Sequence, residues 1–170
     1  YAEALPILRR SASISLAQRT ETHDDMAFIF ANLALATSGI GDDDDAESLF
    51  RRGLAAAEQH KHRLLAPILI DLAALHCRRG RYDDVMEMID RAQPLMAVEY
   101  PDDPWRSAWA QNTRGYCLLR QGKLAQGRTL IQASAPALLA RWSSTSLYGF
   151  ETERRLRAAT VRVPSKRAVM

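Results

Sequence analysis

Gly41, Gly80 and Gly122 stand 39 and 42 residues apart, and the residues around each fall into one register. Seven positions before each glycine is a small residue, Ala34, Ala73 or Gly115, and five after it is another small or short one, Ala46, Val85 or Gly127. Eight and nine after come the apolar pairs Leu49-Phe50, Met88-Ile89 and Leu130-Ile131, and twelve after are Gly53, Ala92 and Ser134. Ala4, Ile7-Leu8 and Ser11 fit the same template if its glycine is placed just ahead of Tyr1. A repeat of this length constrains the fold more than any motif does. Each unit is one supersecondary element that cannot bury its apolar face alone, so neighbours must stack to form a continuous core.

Each glycine is flanked on both sides by roughly four turns of helix-like periodicity, with no alternating segment suited to a strand. The units therefore read as helical hairpins, with glycine at the hinge because the left-handed backbone region that ends a helix costs it nothing sterically. Acids follow where a new helix N-terminus favours negative charge, as in Asp42 to Asp45 and Asp83-Asp84. The small residues let the paired helices approach where they cross. The pattern predicts helices over 2–19, 24–38, 43–59, 63–79, 82–99, 104–121, 124–141 and 146–159. Asp103-Pro104 reads as a capping acid followed by proline in the first turn. Pro94 and Pro136, fourteen residues after their glycines, predict a bend in each second helix.

The stretches NLALATSGIGDDDDAESLFRRGLA, DLAALHCRRGRYDDVMEMIDRA and TRGYCLLRQGKLAQGRTLIQAS resemble the tetratricopeptide repeat, in the expanded form of about 42 residues found in kinesin light chains and in many bacterial regulatory proteins. The resemblance covers residues 1 to about 140 and implies an all-α fold, a right-handed superhelical stack of antiparallel hairpins. It makes 1–160 one repeat domain, with three full repeats and a partial one at each end, and leaves 161–170 as a disordered basic tail. It also implies a concave groove lined by the first helix of each hairpin. Its groove positions fall here on Phe28, Asn32 and Leu35; on Ile70, Asp71 and Arg78; and on Trp109, Asn112, Thr113, Tyr116 and Arg120. These mix aromatic rings, amides and arginines, a composition suited to gripping an extended peptide. In that picture Tyr116 is the anchor, Asn32 and Asn112 meet the peptide main chain, and Arg120 selects an acid. The Lys and Asn pattern with which chaperone-binding members clamp a terminal carboxylate is replaced by Ala31 and Leu35.

Other functions find less support. There is no Gly-rich phosphate loop, GxSxG or HExxH, so no catalytic constellation and no cofactor is expected. Asp42 to Asp45 lacks the spacing of a calcium loop, and His60, His62, His76 and Cys77 match no zinc pattern, so no metal site is expected either. With 47% hydrophobic and 25% charged residues the chain is ordinary for a folded domain, and no apolar run reaches the length of a membrane span. Cys77 and Cys117, forty residues apart, read as thiols of a reducing compartment, which predicts a cytoplasmic location. Residues 151–170 carry six Lys/Arg against two acids, a net +4 that leaves −1 for 1–150. That basic end lacks aromatic stacking partners and reads as a solvating cap, so nucleic acid is not the expected partner.

The reading that best joins these features is a non-catalytic scaffold that binds a protein or peptide in its groove. A second is the regulatory or sensory repeat arm of a larger bacterial serine/threonine kinase or transcriptional regulator, since the chain opens within a helical pattern. The first helix would then lack its hairpin partner, which predicts self-association into a homo-oligomer through that end.

Overall fold

The computed structural model describes residues 2–142 and 147–160. Eight helices follow in order: α1 (Ala4–Gln18), α2 (Asp24–Gly39), α3 (Asp43–His60), α4 (Leu65–Arg78), α5 (Val85–Glu99), α6 (Pro104–Arg120), α7 (Leu124–Arg141) and α8 (Leu147–Thr160). No strand occurs among the described residues. The expected helix bounds agree to within about three residues, and the expected tail at 161–170 lies outside the described residues.

The three hinge glycines share one geometry. Gly41, Gly80 and Gly122 all have positive φ, at 91°, 74° and 80°. In each case the next residue's N–H bonds to the carbonyl five residues back: Asp42 to Thr37 at 3.2 Å, Arg81 to His76 at 2.9 Å, and Lys123 to Leu118 at 2.9 Å. That bond satisfies a carbonyl left over at a helix end. Lys61 repeats the device after α3 with φ of 50°, and His62 N–H bonds to Ala57 at 2.8 Å. At the start of α3, Asp42 caps as its acidic position suggests, accepting from Asp45 N–H at 3.3 Å. Asp103 does not cap α6. Its carboxylate turns to Arg106 instead, at 3.5 Å, and Pro104 alone marks the start.

The repeat template describes the core. Ala34 and Ala46, Ala73 and Val85, and Gly115 and Gly127 are all buried within the hairpins α2–α3, α4–α5 and α6–α7. Pro94 and Pro136 lie inside α5 and α7. Burial of the apolar pairs divides into two cores that meet along α4. Ile68, Leu72 and Leu75 join α1, α2 and α3, whereas Leu69, Ile70, Ala73 and Cys77 join the helices that follow. Successive first helices touch, α2 against α4 and α4 against α6, so their free faces form one surface.

Candidate functional site

That surface is a groove. Two cavities occupy it, of about 350 Å³ and 280 Å³, and they share Leu35 of α2, Asp71 of α4 and Trp109 of α6 as a common wall. The first helices of three successive hairpins thus line one channel, as the groove register implies.

The smaller cavity is aromatic. Trp105 stacks on Trp109 with centroids 6.2 Å apart, and Trp142 meets Trp105 edge-on at 5.5 Å. Arg106 covers the rim, its guanidinium 4.4 Å from the Trp105 ring centre and 3.6 Å from that of Tyr100. Phe28 stands opposite on α2, 61% exposed. Asn32, half-buried beside it, donates to the Phe28 carbonyl at 2.9 Å. A ring this open beside a tryptophan cleft leaves aromatic surface on which an apolar side chain can pack.

The larger cavity is the more polar of the two, with Arg78, Asp71 and Arg155 beside Leu35, Phe50 and Leu138. Arg78 is held by Asp43 at 2.9 Å and by the Ser38 hydroxyl, and Arg120 donates to the Arg78 carbonyl at 3.4 Å. Asp71 lies half-buried on the wall with no hydrogen-bond donor among the described residues. Desolvation pushes its carboxyl up to about 8, against the opposing pull of Arg155 and Arg78.

Helix α8 closes the far side, and here the sequence expectation needs correction. Ile70, Asn112 and Thr113 are wholly enclosed, and Trp109 and Tyr116 nearly so. Asn112 cannot meet a ligand's main chain in this conformation: its Nδ2 donates to Ser134 Oγ at 3.1 Å, and its Oδ1 accepts from Arg155 Nη1 at 3.1 Å. Arg155 also donates to Thr113 Oγ1 at 3.2 Å and lies 4.8 Å from the centre of the Tyr116 ring. The Tyr116 anchor is thus covered from within the chain. Of the expected groove residues, Phe28, Asn32, Leu35, Asp71, Arg78 and Arg120 retain surface. Arg155 itself, read from sequence as part of a solvating cap, is buried. The signal was the spacing of Thr152, Arg155 and Ala159, three residues on one helical face that are all buried.

A second charged cluster lies away from the groove. Glu47 of α3 accepts from Arg51 at 2.9 Å and Arg79 at 3.1 Å, pairs with Arg81, and meets the buried His76 at 3.2 Å. The Arg81 hydrogen bond holds the Glu47 carboxyl down to about 2, against the opposing effect of burial and with help from Arg51. Burial, with Arg81 beside it, lowers His76 and favours the neutral ring. His60 and His62 contact the Thr22 carbonyl and the Leu64 N–H at 2.7 Å and 3.0 Å. No group of three or more His, Cys, Asp or Glu suited to a metal occurs among the described residues. No described helix is long and apolar enough to cross a membrane.

No protein-family profile matches the chain. Over 92 residues, 54% of the chain, it is 26% identical to response regulator aspartate phosphatase J of Bacillus subtilis (strain 168), and it spans only 24% of that protein's length. Its fold is similar to the crystal structure of a putative kinesin light chain with nearly identical TPR-like repeats from Podosopora anserina. The TM-score is 0.65 at 16% identity, over 92% of this chain and 76% of that one. With hairpins stacked in register on glycine hinges and first helices lining one groove, the chain has the fold of a tetratricopeptide-like α-solenoid.

Proposed function

We propose that the chain is a non-catalytic scaffold that binds an extended segment of a partner protein along its concave groove. The observation that supports this most directly is the continuity of the groove. The cleft of Trp105, Trp109 and Trp142 opposite Phe28 adjoins a cavity richer in charged groups through a shared wall, so one segment can place an apolar side chain in the first and polar groups in the second. Phe28, Leu35 and Trp105 supply apolar contact, and Asn32, Asp71, Arg78 and Arg120 supply polar contact. The expected cytoplasmic location and self-association through α1 belong to the same proposal. Ile7 and Ile14 on α1 are 71% and 51% exposed, an apolar surface suited to a second copy.

The test begins with affinity capture on the purified chain, followed by titration of the captured partner against variants. Phe28→Ala or Leu35→Ala should weaken binding by about 1–3 kcal/mol with helical content retained, whereas Glu87→Ala, on the outer wall, should leave it unchanged. Equal effects from both faces would exclude the groove as the working surface.

A second reading is favoured by the local similarity to a response regulator aspartate phosphatase. In it the scaffold is the regulatory arm of a larger protein, and the groove reports on a signalling partner. Co-purification of the chain with a kinase or regulator domain supplied in trans would support it.

A further inference from the structure

Among the described residues Arg155 is the one Lys or Arg that is buried, at 8% exposure. A buried guanidinium normally sits against a carboxylate, because neutral acceptors alone do not offset its lost hydration. Arg155 has a carboxylate partner only at the outer limit of ion-pair distance. Its Nη1 is satisfied by the Asn112 amide oxygen and the Thr113 hydroxyl, its face by the Tyr116 ring, and its Nε has no hydrogen-bond acceptor. The nearest carboxylate, Glu151 at 3.9 Å, comes from its own helix and is shared with Arg154. Across the same cavity stands Asp71, within reach of the Arg155 charge but forming no ion pair with it. Burial therefore works against both charges at once, lowering the Arg155 guanidinium below its usual range while raising the Asp71 carboxyl.

The seat under Arg155 has a definite chemistry. Asn112 and Thr113 present two neighbouring oxygen acceptors, Tyr116 presents an aromatic face, and the nearby acid is Asp71. Both hydrogen bonds come from Nη1 alone, so what favours arginine is the guanidinium plane over the Tyr116 ring, which a lysine ammonium, a point charge without a plane, does not reproduce.

We propose that the concave face of α6, with Asp71 of α4 opposite, is an arginine-binding seat that Arg155 fills from within the chain, and that an arginine-bearing segment of a partner protein competes for it and lifts α8 away. This deepens the groove reading and rests on it. A partner's guanidinium arriving through the open cavity of about 350 Å³ can reach Asp71, which Arg155 does not. That extra ion pair supplies the difference in affinity that displacement requires. Helix α8 is suited to leave, since it touches only α6 and α7 among the described helices.

The probe is a dye-labelled synthetic peptide with the sequence of residues 147–160, added to the full chain and read by fluorescence anisotropy. The Arg155→Ala chain, with its seat vacated, should bind the peptide about tenfold more tightly than the wild-type chain, and a peptide carrying Arg155→Lys should bind about tenfold more weakly to either. Asp71→Asn should leave the affinity of this peptide unchanged, because its arginine takes the place of Arg155 and stops short of Asp71. If Arg155→Ala fails to fold, the Arg155→Lys chain carries the same expectation. On the wild-type chain, saturating isotopically labelled peptide should speed hydrogen exchange in the chain's own α8. Equal affinity of variant and wild-type chains, equal affinity for the arginine and lysine peptides, or unchanged exchange in α8 would each overturn the seat. None of those outcomes would alter where a captured partner maps, whereas a partner mapping to the outer wall would sink the groove and leave these affinities standing.

Discussion

Gly115 and Gly127 meet across the α6–α7 crossing so closely that a Cβ on Gly127 would stand 2.7 Å from the Gly115 carbonyl oxygen. The corresponding pairs in the other hairpins, Ala34 with Ala46 and Ala73 with Val85, carry side chains. The third hairpin is thus the one whose crossing depends on the absence of any. Gly127→Ala should destabilise the fold by about 1–3 kcal/mol through overpacking against backbone atoms that cannot move aside. Urea denaturation gives the measurement, and an unchanged midpoint would mean that the two helices separate without cost.

Glu47 links its own hairpin to the next, and its carboxyl is held down to about 2 from the ordinary value of 4.5. A carboxyl lowered in the folded state adds stability that is complete above its unfolded value and is lost as the pH falls from about 4.5 toward 2. Glu47→Gln should cost about 2–3 kcal/mol at neutral pH, because Arg51, Arg79, Arg81 and His76 would face one another without the anion. The variant should also show a shallower loss of stability across that acid window than the parent. Denaturation midpoints measured from pH 7 downward separate the two effects.

Asp71 carries the opposite sign. Its carboxyl, raised to about 8 from 3.8, binds its proton more tightly folded than unfolded, so stability should fall as the pH rises between those values. Asp71→Asn should abolish that slope and be the more stable protein toward the upper end of the window, by about 1–2 kcal/mol. The gain is smaller than full burial would give, since the carboxyl lies half-buried on a cavity wall that water can reach. A parent whose midpoint is flat across the window would show Asp71 to be ionised throughout.

The fold was legible because it is written in spacing. Gly41, Gly80 and Gly122 mark left-handed hinges, and the small residues at fixed distances from them mark the crossings, so a one-dimensional pattern maps directly onto stacked hairpins. The groove register was legible to the same extent, placing Phe28, Leu35, Asp71 and Trp109 on a shared surface. What escaped was the fate of that surface beyond α4. Arg154, Arg155 and Arg157 are alike as letters, and only the seating of α8 makes Arg155 an internal ligand while Arg157 stays in solvent. Asn112 and Tyr116 are covered for the same reason: repeat geometry fixes which way a first helix faces, not what a later segment lays across it.

Helix α1 offers a test at the other end. Ile7 and Ile14 present apolar surface to solvent. If that face meets a second copy, sedimentation should show concentration-dependent association that Ile7→Glu abolishes. A chain that stays monomeric at high concentration would leave α1 as a simple cap.

Helix α4 divides its apolar side chains between two cores, Ile68, Leu72 and Leu75 to one and Leu69, Ile70, Ala73 and Cys77 to the other. If cooperativity breaks at this seam, the chain unfolds as two blocks sharing a single wall rather than as one body. Phe28 and Leu35 belong to the first block and Trp105 and Trp109 to the second, so whatever lies in the groove bridges them. A bound segment then acts as a splint: in calorimetry the free chain should melt broadly, block by block, and the occupied one in a single sharper transition.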